Sequence, residues 1–134
     1  MTCDDYAFVA DWKLYIGRDN AITVIPYSDF ANLVNYDMTA VTRVVANADL
    51  INTSVVGDSV VGDSAIDPSL VWWDEVTNDD GEQEWRIYCK VGLFTGIAAA
   101  TYLVRITIFD PAHPNGLVLP ETDSTLQVTV VGLP

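Results

Sequence analysis

The residue types able to do chemistry are few and badly spaced for it. His113 is the only histidine and sits between Ala112 and Pro114 in a turn-like stretch. Ser-His-Asp chemistry needs a positioned base, and the chain has no G-x-S-x-G nucleophile elbow, so His113 reads as a solvated turn histidine. Asn78-Asp79-Asp80-Gly81-Glu82 superficially resembles a calcium loop, but the alternating oxygen ligands, sixth-position Gly and twelfth-position Glu of an EF-hand are not there. Asp58, Asp63 and Asp67 could gather around a cation at a loop end; the plainer reading is three solvated loop carboxylates. The acids are numerous enough for a glycosidase pair, whose convergence a sequence does not show. P-loop, dinucleotide and zinc spacings are absent. These residues predict a non-enzymatic protein with no catalytic residue, no cofactor and no metal.

Contact is the better use of what remains. Trp72 and Trp73 are adjacent, so on a strand one ring faces the core and the other faces out. An outward Trp is a candidate interface anchor, because Trp is enriched at binding hot spots; a carbohydrate-stacking platform is the alternative. Ser54-Val55-Val56-Gly57-Asp58 is repeated at once as Ser59-Val60-Val61-Gly62-Asp63, with Ser64 beginning a third copy. Five residues are too short for a solenoid unit, and odd spacing turns the two Val-Val pairs to opposite faces of a strand. The repeat reads as a duplication carried in a surface loop, or as an apolar strip (Val55, Val56, Val60, Val61) that pairs with another subunit as an added strand. Tyr6 and Phe8 join the candidate interface on residues 1–11, expected to be an N-terminal arm or first edge strand ahead of a domain spanning residues 12–134.

The elements that must position these residues are strands. From Glu84 to Asp110 the chain reads as strand 85–91, a bend bracketed by Gly92 and Gly96, and strand 102–110, each strand alternating in period two. Cys89 falls on an inward, apolar position. Before this stretch, 12–16 and 21–25 alternate, the second halted by Pro26, which cannot donate to a ladder. Residues 28–37 are broken up by Asp29, Asn32, Asn35 and Asp37 and read as loop, with room for one helical turn at 30–33. Strand 40–46 follows. Residues 69–76 and 83–91 flank an acidic Gly-containing turn and predict a long hairpin. Residues 111–116 form a rigid turn ending in Asn-Gly, 117–119 a short edge strand, and 125–131 a closing strand. No helix-period segment of ordinary length appears. Seven to nine strands with regular turn signals predict an all-β fold, a single Ig-like antiparallel β-sandwich.

Composition bounds the partners. The 134 residues suit one domain, and half are hydrophobic, so a core is easily supplied. Nineteen acids face six bases, for a net charge of −13. That balance predicts no nucleic-acid partner and no anionic membrane, since both are bound through Lys and Arg. The opening residues lack the basic and apolar regions of a signal peptide, and no apolar run reaches the roughly 18 residues of a membrane helix. Folding in a cytoplasm is therefore expected, with Cys3 and Cys89 as free thiols rather than a disulfide.

From Leu93 to Asp110 the pattern is an apolar residue, a small-residue bend, then Tyr102 opening a strand of the form Tyr-x-Val-x-Ile-x-Ile-x-Asp. This resembles the corner of Ig-like sandwiches, where the tyrosine hydroxyl bonds to upstream backbone. The antibody-type cysteine pair around a core Trp is missing, so a true immunoglobulin domain is not implied. The wider layout is a turn at 17–20, strand 21–25, Asp37–Thr42 leading into a strand to Ala46, the Trp hairpin, the Tyr102 strand and a closing Leu126–Val130 strand. Over residues 14–131 this is similar to the small Ig-like domains of tailed-bacteriophage virion proteins, among them capsid decoration (cement) proteins and the N-terminal domain of baseplate upper proteins. The resemblance implies a structural protein folded in the host cytoplasm and bound to virion capsid or tail proteins in many copies, with self-association possible. Capsid decoration is the first expectation; tail, neck or baseplate attachment, or a carbohydrate-binding module, are the alternatives.

Overall fold

The computed structural model describes residues 11–29, 32–50, 59–119 and 126–132. Period-two alternation puts Val44, Ala46 and Ala48 on one buried face and Tyr102, Val104, Ile106 and Ile108 on the matching face of the neighbouring strand. The strands are β1 (Asp11–Tyr15), β2 (Ile22–Val24), β3 (Tyr27–Asp29), β4 (Val34–Asn35), β5 (Arg43–Leu50), β6 (Ser59–Asp63), β7 (Val71–Thr77), β8 (Gln83–Cys89), β9 (Ala100–Asp110), β10 (His113–Leu119) and β11 (Leu126–Val131). A 3-10 turn at Val91–Leu93 is the one helical element among the described residues.

The larger sheet runs β1-β11-β9-β5-β6, with β10 also on β9; the smaller runs β2-β8-β7; β3 and β4 form a separate ribbon. Side chains of both sheets meet in one core, Leu14, Ile106 and Val128 from the larger against Ile22, Val71 and Ile87 from the smaller. In Ig lettering this is G-F-C-C′ facing B-E-D, with the first strand joined to G. The fold is an all-β, Ig-like sandwich.

Four details depart from expectation. The described residues form eleven strands where seven to nine are expected. Residues 28–37, expected as loop, hold the β3–β4 ribbon, in which Tyr27 pairs with Asn35 and Ser28 Oγ donates to the Val34 carbonyl at 3.3 Å. The stretch 111–116 is not one rigid turn: β10 begins at His113 and absorbs Pro114 and Asn115 in a bulge before pairing resumes at Leu117. The sandwich is also not wholly antiparallel, since β1 runs parallel to β11.

The Glu84–Asp110 stretch crosses from one sheet to the other, because β8 and β9 belong to different sheets. Gly92 is required by close approach: a Cβ there would sit 2.5 Å from the Tyr15 carbonyl oxygen. Gly96 has φ +89, open to glycine and strained for other residues. Tyr102 then locks the corner, its hydroxyl donating to the Ala98 carbonyl at 2.8 Å and accepting from the Ala98 N–H at 3.1 Å. Cys89 is fully buried, and burial pushes its thiol up to about 12.

The smaller sheet is completed by a side chain. β2 pairs with β8 only over residues 87–89 and then meets Pro26. Beyond it the Asn35 amide takes the place of a strand: Oδ1 accepts from the Trp85 N–H at 2.7 Å, and Nδ2 donates to the Trp85 and Pro26 carbonyls at 3.2 and 3.0 Å. A half-buried N–H stripped of its partner costs about 1–3 kcal/mol. Asn35→Leu should therefore lower the unfolding free energy by that amount, read as a lower denaturant midpoint with the slope of the transition unchanged.

Candidate interaction surface

The adjacent tryptophans divide as alternation requires. Trp73 packs inward against the core. Trp72 points outward from the smaller sheet and stacks on Tyr88 directly opposite, with ring centroids 5.3 Å apart and planes 20° from parallel. Lys90 Nζ lies over the Trp72 ring at 5.5 Å and pairs with Asp19 at 3.3 Å. Burial and a hydrogen bond to Asp74 raise the Tyr88 phenol above its usual range, and Arg86 Nε pairs with Glu84 at 2.8 Å. Tyr88 and Lys90 thus take ring surface that a stacked sugar would need.

The outer face of the larger sheet is different in kind. By register it carries Lys13 and Tyr15 of β1, Val131 of β11, Leu103, Arg105 and Phe109 of β9, Arg43, Val45 and Asp49 of β5, Val61 and Asp63 of β6, and Val118 of β10. Tyr15, Val118 and Val61 are exposed, at 38%, 45% and 47%. Register also puts Asp11 on this face, so three bases (Lys13, Arg43, Arg105) stand against three acids (Asp11, Asp49, Asp63): half the chain's six bases lie here, and the balance is zero where the whole chain carries −13. Arg105 pairs with Asp49 at 3.0 Å and Arg43 with Asp63 at 2.6 Å. Sequence reading missed this face, because its residues come from six strands and no local motif gathers them.

The repeat is placed only in part. Val55, Val56, Tyr6 and Phe8 lie outside the described residues, as do Asp58 and residues 1–10 of the expected arm, whose last residue, Asp11, opens β1. The second copy is not surface loop: it is β6, hydrogen-bonded to β5. Val60 is half-buried against the core, so of this pair Val61 alone faces outward. Among the described residues β6 ends its sheet, the position an added strand would extend.

The acids and the histidine also differ from their sequence readings. Asp63 is not a solvated carboxylate but buried, its Oδ1 accepting from Arg43 Nε at 3.0 Å and its Oδ2 from Nη2 at 2.6 Å. The Ala65 N–H adds a bond to Oδ1, and the Arg43 guanidinium lies over Phe109 at 4.8 Å. Asp67 caps Ser69 through the backbone N–H and hydroxyl. Asn78 Oδ1 accepts from the Asp80 and Glu82 N–H groups, making the acidic turn a hairpin tip. Among the described residues no group of acids, histidines or cysteines is arranged to hold a metal ion.

His113 is not a solvated turn residue. The two-residue turn between β9 and β10 sets it opposite Asp110, whose Oδ1 lies 2.9 Å from Nδ1 and accepts from the His113 backbone N–H at 2.8 Å. Tyr36 closes the cluster, donating to Asp110 Oδ2 at 2.6 Å, with its oxygen 3.1 Å from His113 Nδ1. The Tyr36 hydroxyl, then His113, hold the Asp110 carboxyl below its ordinary value. The cluster ties the segment after β4 to the β9–β10 turn.

No helix among the described residues is long and apolar enough to cross a membrane. Comparison with known proteins finds no matching family model, no matching curated protein and no matching solved structure.

The Arg43–Asp63 pair gives a pH signature. The Arg43 guanidinium holds the Asp63 carboxyl below its ordinary 3.8. A depressed folded-state value stabilises the fold above 3.8, and that contribution is lost as pH falls through the folded value. Arg43→Met should lower the thermal midpoint at pH 7, and the gap to the parent protein should close on acidification toward pH 2–3. A gap constant with pH would show that lost packing on Phe109, not charge, is what the substitution removes.

Proposed function

We propose that this chain is a non-enzymatic structural protein of a tailed-bacteriophage virion, a capsid decoration protein that attaches to the shell in many copies. The reading is supported by the Ig-like strand order, by the layout it shares with small virion sandwiches, and above all by one surface. On a chain of net charge −13, the outer face of the larger sheet is nearly balanced, its ion pairs are internally satisfied, and Tyr15, Val61 and Val118 project from it. Charges paired within the face, around exposed aromatic and aliphatic side chains, suit a protein interface better than the acidic remainder of the chain does. The acids elsewhere would keep unbound copies apart. Attachment to tail, neck or baseplate uses the same physics and differs only in the partner.

The carbohydrate-binding alternative rests on Trp72, whose ring already holds Tyr88 and the Lys90 ammonium. The interface reading makes better use of both sheets.

The test places like charge on the face at exposed positions. Tyr15→Glu combined with Val118→Glu should leave the thermal midpoint within about 2–4 °C, since surface changes usually cost within about 0.5 kcal/mol each. Incorporation should fall at least about tenfold, the loss expected of one interface anchor, measured by co-sedimentation with shells assembled from capsid genes neighbouring this one. Undiminished incorporation would remove the face from the reading. Glycan-array binding abolished by Trp72→Ala would favour the carbohydrate module instead.

A further inference from the structure

Two hexapeptides, Ser54-Val55-Val56-Gly57-Asp58-Ser59 and Ser59-Val60-Val61-Gly62-Asp63-Ser64, match residue for residue and share Ser59. In the structure the second supplies β6, pairing Val45 with Asp63, Ala46 with Gly62, Asn47 with Val61, Ala48 with Val60 and Asp49 with Ser59. Four side-chain features fix that register. Asp63 takes the Arg43 guanidinium in a two-point bond. Gly62 lies under the buried Phe94 ring, where any Cβ would collide. Val60 packs on the core, and Ser64 Oγ accepts from the Val44 N–H at 2.9 Å while its own N–H donates to the Val44 carbonyl at 3.0 Å. Each of these residues has its own type five positions earlier.

An odd register slip ordinarily turns every side chain to the wrong face. Here the facing β5 residue sets the orientation of each slot, and a slip of five brings the same residue type to every slot. Asp58 comes opposite Val45, Gly57 opposite Ala46, Val56 opposite Asn47, Val55 opposite Ala48 and Ser54 opposite Asp49. Both copies cannot fill the slot together, so occupancy is either-or. The connections adjust in opposite senses. In the observed register nine chain positions separate the last paired residues, Asp49 and Ser59; in the slipped one four would separate Asp49 from Ser54, a common hairpin length. The β6–β7 link lengthens from residues 64–70 to 59–70. Loop-closure entropy varies only with the logarithm of length, so the gain at one end nearly cancels the loss at the other. After Asp63, the N–H groups of Ala65, Ile66 and Asp67 bond back to its side chain or carbonyl. Val60, Val61 and Gly62 bring N–H groups to the same places after Asp58.

We propose that β6 is a two-register strand: either copy of the repeat can occupy the slot beside β5, which moves five residues of loop from one end of the strand to the other. The inference is independent of the virion reading and survives its failure.

A double-substitution cycle tests it in the full chain. Gly62→Val blocks the observed register and Gly57→Val the slipped one. Each alone should shift the thermal midpoint by no more than about 2–3 °C, because the other copy takes the slot, whereas the pair should lower it by about 10 °C or prevent folding. In the Gly62→Val background Asp58→Asn should destabilise further, because Asp58 now holds Arg43, while Asp63→Asn should have little effect. If Gly62→Val alone loses as much as the pair, or fails to fold, the first copy does not substitute and the proposal is wrong. It is equally wrong if the pair matches the parent protein, or if Asp63→Asn rather than Asp58→Asn destabilises the Gly62→Val variant.

Discussion

Saturating the backbone of β9 is the constraint on which the rest of the structure depends. At eleven residues it is the longest strand described, and both edges lie inside the larger sheet. One edge is met by β5 over residues 102–109. The other is shared end to end, by β11 over residues 100–104 and by β10 over 106–110. A buried strand cannot leave such groups unpaired without a cost comparable to a lost hydrogen bond at each. The bulge in β10 and the return of β11 from the far end both serve that requirement, and β1 is added to the sheet through β11.

The same demand explains polar side chains placed where strand pairing gives out. Where β2 gives out at Pro26, the Asn35 amide finishes the pairing of β8. Where the chain turns from the smaller sheet to the larger, the Tyr102 hydroxyl returns both hydrogen bonds to Ala98. At the end of β6, Asp63 satisfies Arg43 and the following turn together. These groups sit at places where strand pairing ends, and each takes at least one backbone group that the strands leave without a partner.

Charge is distributed unevenly over this framework. The larger sheet's outer face holds half the bases and most of its acid–base contacts are internal to it, which leaves the excess acids elsewhere on the chain. Repulsion among distributed acids and a balanced, partly apolar face can act together: the first opposes indiscriminate association and the second selects one partner. On the smaller sheet, the Trp72–Tyr88 stack is already braced by Lys90, so its stiffness serves the hairpin as much as any contact.

The sequence alone determined the all-β class, the Trp72/Trp73 division, the buried Cys89 and the bend at Gly92–Gly96, because each follows from period-two alternation or from local backbone sterics; the Tyr102 corner was legible only through the resemblance to Ig-like sandwiches. It misplaced 28–37, His113 and Asp63, since local polarity reads as solvent exposure until a distant partner (Trp85, Tyr36 or Arg43) is brought near. It could not assemble the balanced face of the larger sheet, whose members are scattered from Lys13 to Val131. Those positions become neighbours only through strand order, and strand order is set by long-range pairing. The repeat belongs to both accounts: its identity of residues is written in the chain, but only the slot beside β5, with Phe94 above it and Arg43 at its end, shows what that identity permits.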